Sequence, residues 1–337
     1  MKSSIFSLCY SKEKSGLFDK EFRLKQIFDF IFQKKVFDFQ KMSNLPKELQ
    51  ISLESNFNII SLKKKDQKES IDNTVKYLFE LEDGNCIESV LLVDENQRYT
   101  FCISTQVGCK LNCSFCMTGK MGFIRNLNYF EIISQILFLA KEADKSFNIV
   151  FMGMGEPLLN FTELSKAINI LTDKAYFNIS QTRITVSTSG IAEKIPELFL
   201  TFPKINLAVS INSFIQNKRE KIMPVSKMFP LKDLFNILYE CSKKYKTRIT
   251  LEFVLIKDFN DGDDEIKEIR KIKPDIFLIN IIPLNNKTGD GKPDEKKINY
   301  FCNALENAGF QVTRRYRRGE DIQASCGMLY WENKLSS

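Results

Sequence analysis

Three cysteines, Cys109, Cys113 and Cys116, stand at a C-x₃-C-x₂-C spacing just after an apolar run, Tyr99 to Ser104, that reads as a strand. Thiolates are soft ligands suited to zinc or to iron–sulfur iron. Three are one short of a closed tetrahedral zinc site, and the chain has no histidine to complete one. A [4Fe-4S] cluster held by three cysteines would leave one iron open to a small molecule. Two plainer readings stay open: three unrelated buried thiols, or a zinc site completed by a distant cysteine.

Other chemistry-bearing groups recur at the ends of strands. Met152-Gly153-Met154-Gly155-Glu156-Pro157 places a carboxylate beside glycines that allow close backbone approach. That carboxylate could receive a ligand ammonium, although a lone Gly-x-Gly is more often a tight turn. Val186-Ser187-Thr188-Ser189-Gly190, Ser210-Ile211-Asn212 and Ile282-Pro283-Leu284-Asn285 add small polar side chains, each weak alone because such residues also cap helices and form turns. Cys102 lies on the strand that feeds the cysteine motif. Cys326 sits before Gly327 in the tail, after the basic cluster Arg314-Arg315-Tyr316-Arg317-Arg318. Arginines around a tyrosine suit phosphate contact and base stacking, and a solvated strand end is the plainer alternative. Glu88 sits on a strand among apolar neighbours, where an exposed face is the usual fate of glutamate.

The elements that must position these groups follow from periodicity. Residues 1–74 read as a basic, mainly helical segment, with Phe22, Leu24, Ile27, Phe28, Ile31 and Phe32 at helical spacing and a second helix after Pro46. It is either a packing module or an RNA-docking module. Lys63-Lys64-Lys65 reads as a solvated turn. Residues 75–98 change to a period of two, with turns at Asp83-Gly84 and Asp94-Glu95-Asn96, and form a β-hairpin extension that the next strand completes as a meander. From residue 99 to about 320, strands alternate with helices. The six strands are expected near 99–104, 148–152, 183–187, 205–211, 248–256 and 276–284, with a seventh near 310–316. The alternation predicts an α/β fold, a parallel sheet closed or partly closed into a barrel with chemistry at the C-terminal strand ends. Residues 321–337 are a tail carrying Cys326.

The 337 residues are 43% apolar and carry a formal charge of +7, which permits an anionic partner without demanding one. Nine cysteines in a long chain, three of them clustered, argue for metal and redox chemistry rather than a secreted disulfide scaffold. Met1 to Lys14 lacks the apolar core of a signal peptide, and no run of 18 apolar residues is present. A reducing cytoplasm and no membrane partner are expected.

The cysteine spacing, with Phe115 before the last cysteine, resembles the radical-SAM enzymes. The likeness then narrows. Phe101 to Cys109, Thr118 to Leu127, the Gly-Met-Gly-Glu-Pro-Leu turn and Arg318 through Gly327 resemble the RlmN/Cfr family of radical-SAM RNA methyltransferases, over essentially the whole chain. The resemblance implies a partial (β/α)6 radical-SAM barrel with a helical accessory domain. It implies that Cys109, Cys113 and Cys116 hold a [4Fe-4S] cluster. It places Gly155, Glu156, Ser187, Ser210, Ile211, Asn212 and Asn285 around S-adenosylmethionine, two molecules of which serve each turnover. At the fourth strand end the family often has histidine where this chain has Asn212. The implied chemistry loads a methyl group onto Cys326, activates it by a radical route and adds it to an adenine ring carbon. Glu88 removes the ring proton, and Cys102 releases the product through a transient disulfide with Cys326. The implied partners are 23S rRNA, with tRNA in some members, and a low-potential electron donor such as flavodoxin or ferredoxin. Gly155 to Asn160 and Gly122 to Leu127 look more like the C2-methylating RlmN type than the C8-methylating, resistance-conferring Cfr type. A non-catalytic iron–sulfur RNA-binding protein and a radical enzyme acting on peptide are the alternatives from other classes. Retention of both Cys102 and Cys326 argues against the first, and the lack of further C-terminal cysteine clusters argues against the second.

Overall fold

The computed structural model describes residues 2–10, 22–143, 146–284, 291–314, 321–322 and 329. Its strands, in chain order, are β1 (Ser3–Ser4), β2 (Phe57–Asn58), β3 (Leu62–Glu69), β4 (Val75–Leu81), β5 (Cys86–Val93), β6 (Tyr99–Cys102), β7 (Gln106–Gly108), β8 (Phe123–Asn126), β9 (Phe147–Phe151), β10 (Ile184–Thr188), β11 (Asn206–Ser210), β12 (Ile249–Leu255), β13 (Phe277–Pro283) and β14 (Gln311–Arg314). Ten of them form one sheet in the order β14-β13-β12-β11-β10-β9-β6-β5-β4-β3. β6 and β9 to β13 are the six expected strands and run parallel, and β14 continues the parallel run beyond β13. β3, β4 and β5 join β6 antiparallel. β14 and β3 are the two edges, so the barrel is partial.

The two faces of this sheet differ, as the two-residue strand period requires. Phe101, Phe151, Val186, Val209, Leu251, Phe253, Ile279 and Ile281 are wholly buried on one face. They share a core with Ile132, Ile168, Leu198, Leu234 and Ile298, drawn from the helices Tyr129–Ala140, Phe161–Thr172, Ile195–Thr201, Leu231–Tyr245 and Glu295–Glu306. Each such side chain contributes about 1.5–3 kcal/mol by leaving water. The first of these helices starts as its sequence predicts, with the Asn128 N–H donating to the Glu131 carboxylate at 2.8 Å.

The other face is traced by register. Lys76 pairs with Val90, Val90 with Cys102, Cys102 with Val150, and Val150 with Thr185. Two residues along, Leu78 pairs with Glu88, Ser187 with Ala208, Ser210 with Glu252, and Glu252 with Asn280. Paired residues point to the same side, so Lys76, Glu88, Cys102, Ser187, Ser210, Glu252 and Asn280 all line one face of one continuous sheet.

One expectation needs correcting. Residues 62–69 form β3, pairing antiparallel with β4, so a boundary at residue 74 cuts a hairpin. Lys63, Lys64 and Lys65 sit on this strand, exposed. A lysine-rich edge strand blunts further pairing, and it reads as a solvated turn because it lacks apolar alternation. The helices Phe22–Phe32 and Lys47–Asn56 are present as expected. Phe28 meets Tyr176 at 5.0 Å between ring centroids and Phe32 meets Phe177 at 4.5 Å, so the first helix packs on the main domain.

Candidate active site

The three cysteines sit on the long connection of a two-stranded hairpin. β7 and β8 pair antiparallel and residues 109–122 join them. Gly108 fixes the entry. Its φ is +75°, and a Cβ there would lie 1.9 Å from the Gly122 carbonyl oxygen, so no other residue fits before Cys109. The Cys109 N–H donates to that same carbonyl at 2.8 Å, and the Cys116 N–H to the Cys113 carbonyl at 3.1 Å. Burial first, and then neighbouring charges that include the other thiols, push the Cys109 and Cys113 thiols up to about 12. Thiols in so dry a place ionise when a cation accepts them, as a coordinating metal does. Among the described residues no group of three or more His, Cys, Asp or Glu is placed to hold a single metal ion. The donor set instead suits a cluster, in which each thiolate takes a different iron.

The glycine turn after β9 packs against the end of β6. A Cβ on Gly153 would lie 2.7 Å from Ile103 and Ser104 backbone atoms, and one on Gly155, at φ +101°, 2.5 Å from the Gln106 side chain. These glycines therefore bring two loops together, rather than only clearing space for a ligand. Glu156 is held where they meet. Its own N–H donates to the Gln106 side-chain oxygen at 2.8 Å, while its carboxylate accepts from the Ser189 N–H at 2.7 Å and the Leu158 N–H at 3.1 Å. Burial raises its pKa and these amides act against the rise.

Cys102 and Glu88 lie side by side in strand order on the face traced above, 5% and 2% exposed. Glu88 is ion-paired with Lys76, Nζ to Oε2 being 2.9 Å. Its backbone is pinned as well: the Ser104 hydroxyl donates to the Glu88 carbonyl at 2.5 Å, and the Glu88 N–H donates to the Met154 sulfur at 3.3 Å. The expectation of an exposed strand-face carboxylate is thus overturned. The tail returns to this region. Asp321 accepts from the Ser70 hydroxyl and the Ile71 N–H, in the β3–β4 turn, and Leu329 forms a cluster with Leu78 and Cys86, separate from the main core.

The radical SAM superfamily profile matches residues 103–286, and a profile described as the ribosomal RNA large subunit methyltransferase N-terminal domain matches residues 15–59. The chain is 42% identical over 343 residues to the probable dual-specificity RNA methyltransferase RlmN of Pseudothermotoga lettingae, covering 99% of each. It is 40% identical to the protein of the same name from Fervidobacterium nodosum, covering 98% of this chain and 97% of that one. It superposes with a TM-score of 0.87 on the crystal structure of a radical SAM methyltransferase from Sphaerobacter thermophilus, at 35% identity, covering 91% of this chain and 92% of that one. The chain belongs to the RlmN family of radical SAM RNA methyltransferases. It is accordingly an RNA methyltransferase whose fold implies S-adenosylmethionine and a [4Fe-4S] cluster. No helix among the described residues is long and apolar enough to cross a membrane.

For an RlmN-family chain the remaining expected site residues divide by what their side chains already do. Ser187 and Ser210 are half-buried on the open sheet face. Ile211 is wholly buried. Asn212, at φ +57°, is a clamp: its Oδ1 accepts from the Val254 N–H at 2.8 Å and its Nδ2 donates to the Met223 sulfur at 3.1 Å. A ligand would meet this strand end through backbone and Ser210 rather than through the Asn212 amide. Asn285 and Cys326 lie outside the described residues. Arg314 is ion-paired with Glu295 at 2.6 Å, which takes it out of a free basic cluster. Sequence reading missed two buried cations, Lys76 and Arg219, both 0% exposed. Neither carried a signal, because a lysine in an alternating strand and an arginine in Asn217-Lys218-Arg219-Glu220-Lys221 both look solvated.

Proposed function

We propose that this chain methylates C2 of an adenosine in 23S rRNA, and of an adenosine in tRNA, through a methyl group carried on Cys326. The dual specificity in the names of its relatives supports two RNA substrates. The observation that carries the chemistry is the shared face: register makes Glu88 and Cys102 diagonal neighbours on adjacent strands, and Leu329 clusters with Leu78, the partner of Glu88, and Cys86.

Cys109, Cys113 and Cys116 would hold the cluster. Gly155, Glu156, Ser187, Ser210, Ile211, Asn212 and Asn285 would surround S-adenosylmethionine. When bound, these groups supply the methyl and the radical that activates it, at two S-adenosylmethionine molecules per turnover. The protein does the rest. The Cys326 sulfur accepts the methyl and carries it to the ring. Glu88 takes the ring proton. The Cys102 thiolate attacks the Cys326 sulfur: the S–S bond forms as the bond from that sulfur to the RNA-bound methylene carbon breaks, and this carbon takes up a proton to leave as the methyl group of the released RNA. The basic helical segment before β3 helps to dock RNA, a flavodoxin or ferredoxin supplies electrons, and the cytoplasm is the setting.

Mass spectrometry of nucleosides from rRNA and tRNA treated anaerobically with the reconstituted protein tests this. 2-Methyladenosine from both is expected. 8-Methyladenosine would assign the chain to the C8 type instead, and unmodified adenosine throughout would contradict the proposal.

A further inference from the structure

Arg219, on the helix Gln216–Ile222, is wholly buried and uses only one edge of its guanidinium. Nε donates to the Ile211 carbonyl at 3.0 Å, and Nη2 donates to the carbonyls of Ser189 at 2.7 Å and Ser210 at 3.2 Å. Gly190 makes room for it, since a Cβ there would come within 3.1 Å of Nη2. The guanidinium thus ties the third and fourth parallel strand ends together. The opposite nitrogen, Nη1, is buried and has no hydrogen-bond partner among the described residues. Among the described residues no carboxylate pairs with Arg219. An ionised Cys113, as a thiolate ligand is, would favour the Arg219 cation. The Arg219 helix is also tied to the cysteine loop, because the Ser114 N–H donates to the Ile222 carbonyl at 3.0 Å.

A fixed, desolvated donor with no acceptor among the described residues marks a place where another group belongs. We propose that Arg219 Nη1 donates to sulfur of the iron–sulfur cluster at its Cys113 corner and raises the cluster's reduction potential. The proposal rests on the cluster assignment above. Hydrogen bonds to the sulfurs and net charge are the terms that set such potentials. A buried cation at this corner stabilises the cluster after it gains an electron, which eases delivery of that electron by a donor. Being held by three carbonyls, the guanidinium does not reorganise when the electron arrives.

The test is a redox titration of the anaerobically reconstituted full chain, followed by EPR without S-adenosylmethionine. Arg219→Gln should leave iron content intact and give roughly tenfold less reduced cluster at a fixed potential, a shift of about 59 mV to more negative values for a one-electron couple. Arg219→Lys, which keeps the charge, should fall between. Independently of any variant, wild-type protein labelled with guanidino-¹⁵N arginine should show nitrogen hyperfine coupling to the reduced cluster in pulsed EPR. That second arm decides the matter if the variants do not fold. An unchanged potential in iron-loaded Arg219→Gln, loss of S-adenosylmethionine affinity alone, or absence of ¹⁵N coupling would overturn the proposal. Failure of the unaltered chain to load iron would overturn the cluster assignment, and the proposal with it.

Discussion

Lys76 Nζ lies 2.9 Å from Glu88 Oε2, with the two side chains 0% and 2% exposed. They sit on adjacent antiparallel strands, Lys76 opposite Val90 and Glu88 opposite Leu78, so the pair is a diagonal neighbour contact on one sheet face. A carboxylate carried into a dry site needs such a partner, because an unpaired buried charge is far more costly than a paired one.

Removing only one partner should therefore be severe. Lys76→Met is expected to destabilise the fold by about 3–5 kcal/mol, the usual cost of leaving one member of a buried pair uncompensated. The double variant Lys76→Met with Glu88→Gln should recover much of that loss. Denaturant unfolding of the four proteins measures the coupling. Additive losses would mean that the two groups do not act as a pair.

The hairpin that carries the cysteines makes a second, sharper demand. Gly108→Ala would drive a Cβ into the Gly122 carbonyl, whereas Gly122→Ala, at φ +74°, meets open space. Gly122→Ala should cost about 1–2 kcal/mol of left-handed strain and still load iron. Gly108→Ala should lose iron on reconstitution. Equal iron contents would show that the entry geometry does not shape the ligand loop.

A third prediction concerns acid. The Arg125 guanidinium holds the Asp83 carboxyl down at about 2, and Arg125 also grips Glu131 at the start of the helix Tyr129–Ala140. Asp83 has a lowered folded pKa, so its contribution is complete above the ordinary value of 3.8 and fades as pH falls through about 2. It is partly exposed, so the contribution is small. In Arg125→Met, NMR titration should find Asp83 back near the ordinary carboxylate range, and stability should change less between pH 4 and 2. An Asp83 titration unmoved by that substitution would contradict the assignment.

Much of this arrangement was legible in the residues. The cysteine spacing, the strand–helix alternation and the Asp83-Gly84 turn each rest on a local pattern, and the six parallel strands fall where periodicity places them. What was not legible depends on long-range contact. β3 hides its strand character under lysines, because an edge needs charge more than alternation. Lys76, Glu88 and Arg219 are polar types whose burial is decided by partners distant in sequence. Gly153 and Gly155 look like a ligand cradle, yet their missing Cβ atoms are required by Ile103, Ser104 and Gln106. Asn212 has the polarity of a ligand residue but is spent on Val254 and Met223.

In the proposed mechanism Cys102 and Cys326 act in sequence on one RNA, the second as methyl carrier and the first as resolving thiol. Denaturing gel electrophoresis of each variant after anaerobic reaction with RNA tests it most directly. Cys102→Ala should still take the methyl group and add to the base, leaving RNA covalently attached and the protein band shifted. Cys326→Ala and the double variant should show no shift. Normal turnover by Cys102→Ala, or a shifted band that persists without Cys326, would contradict the account.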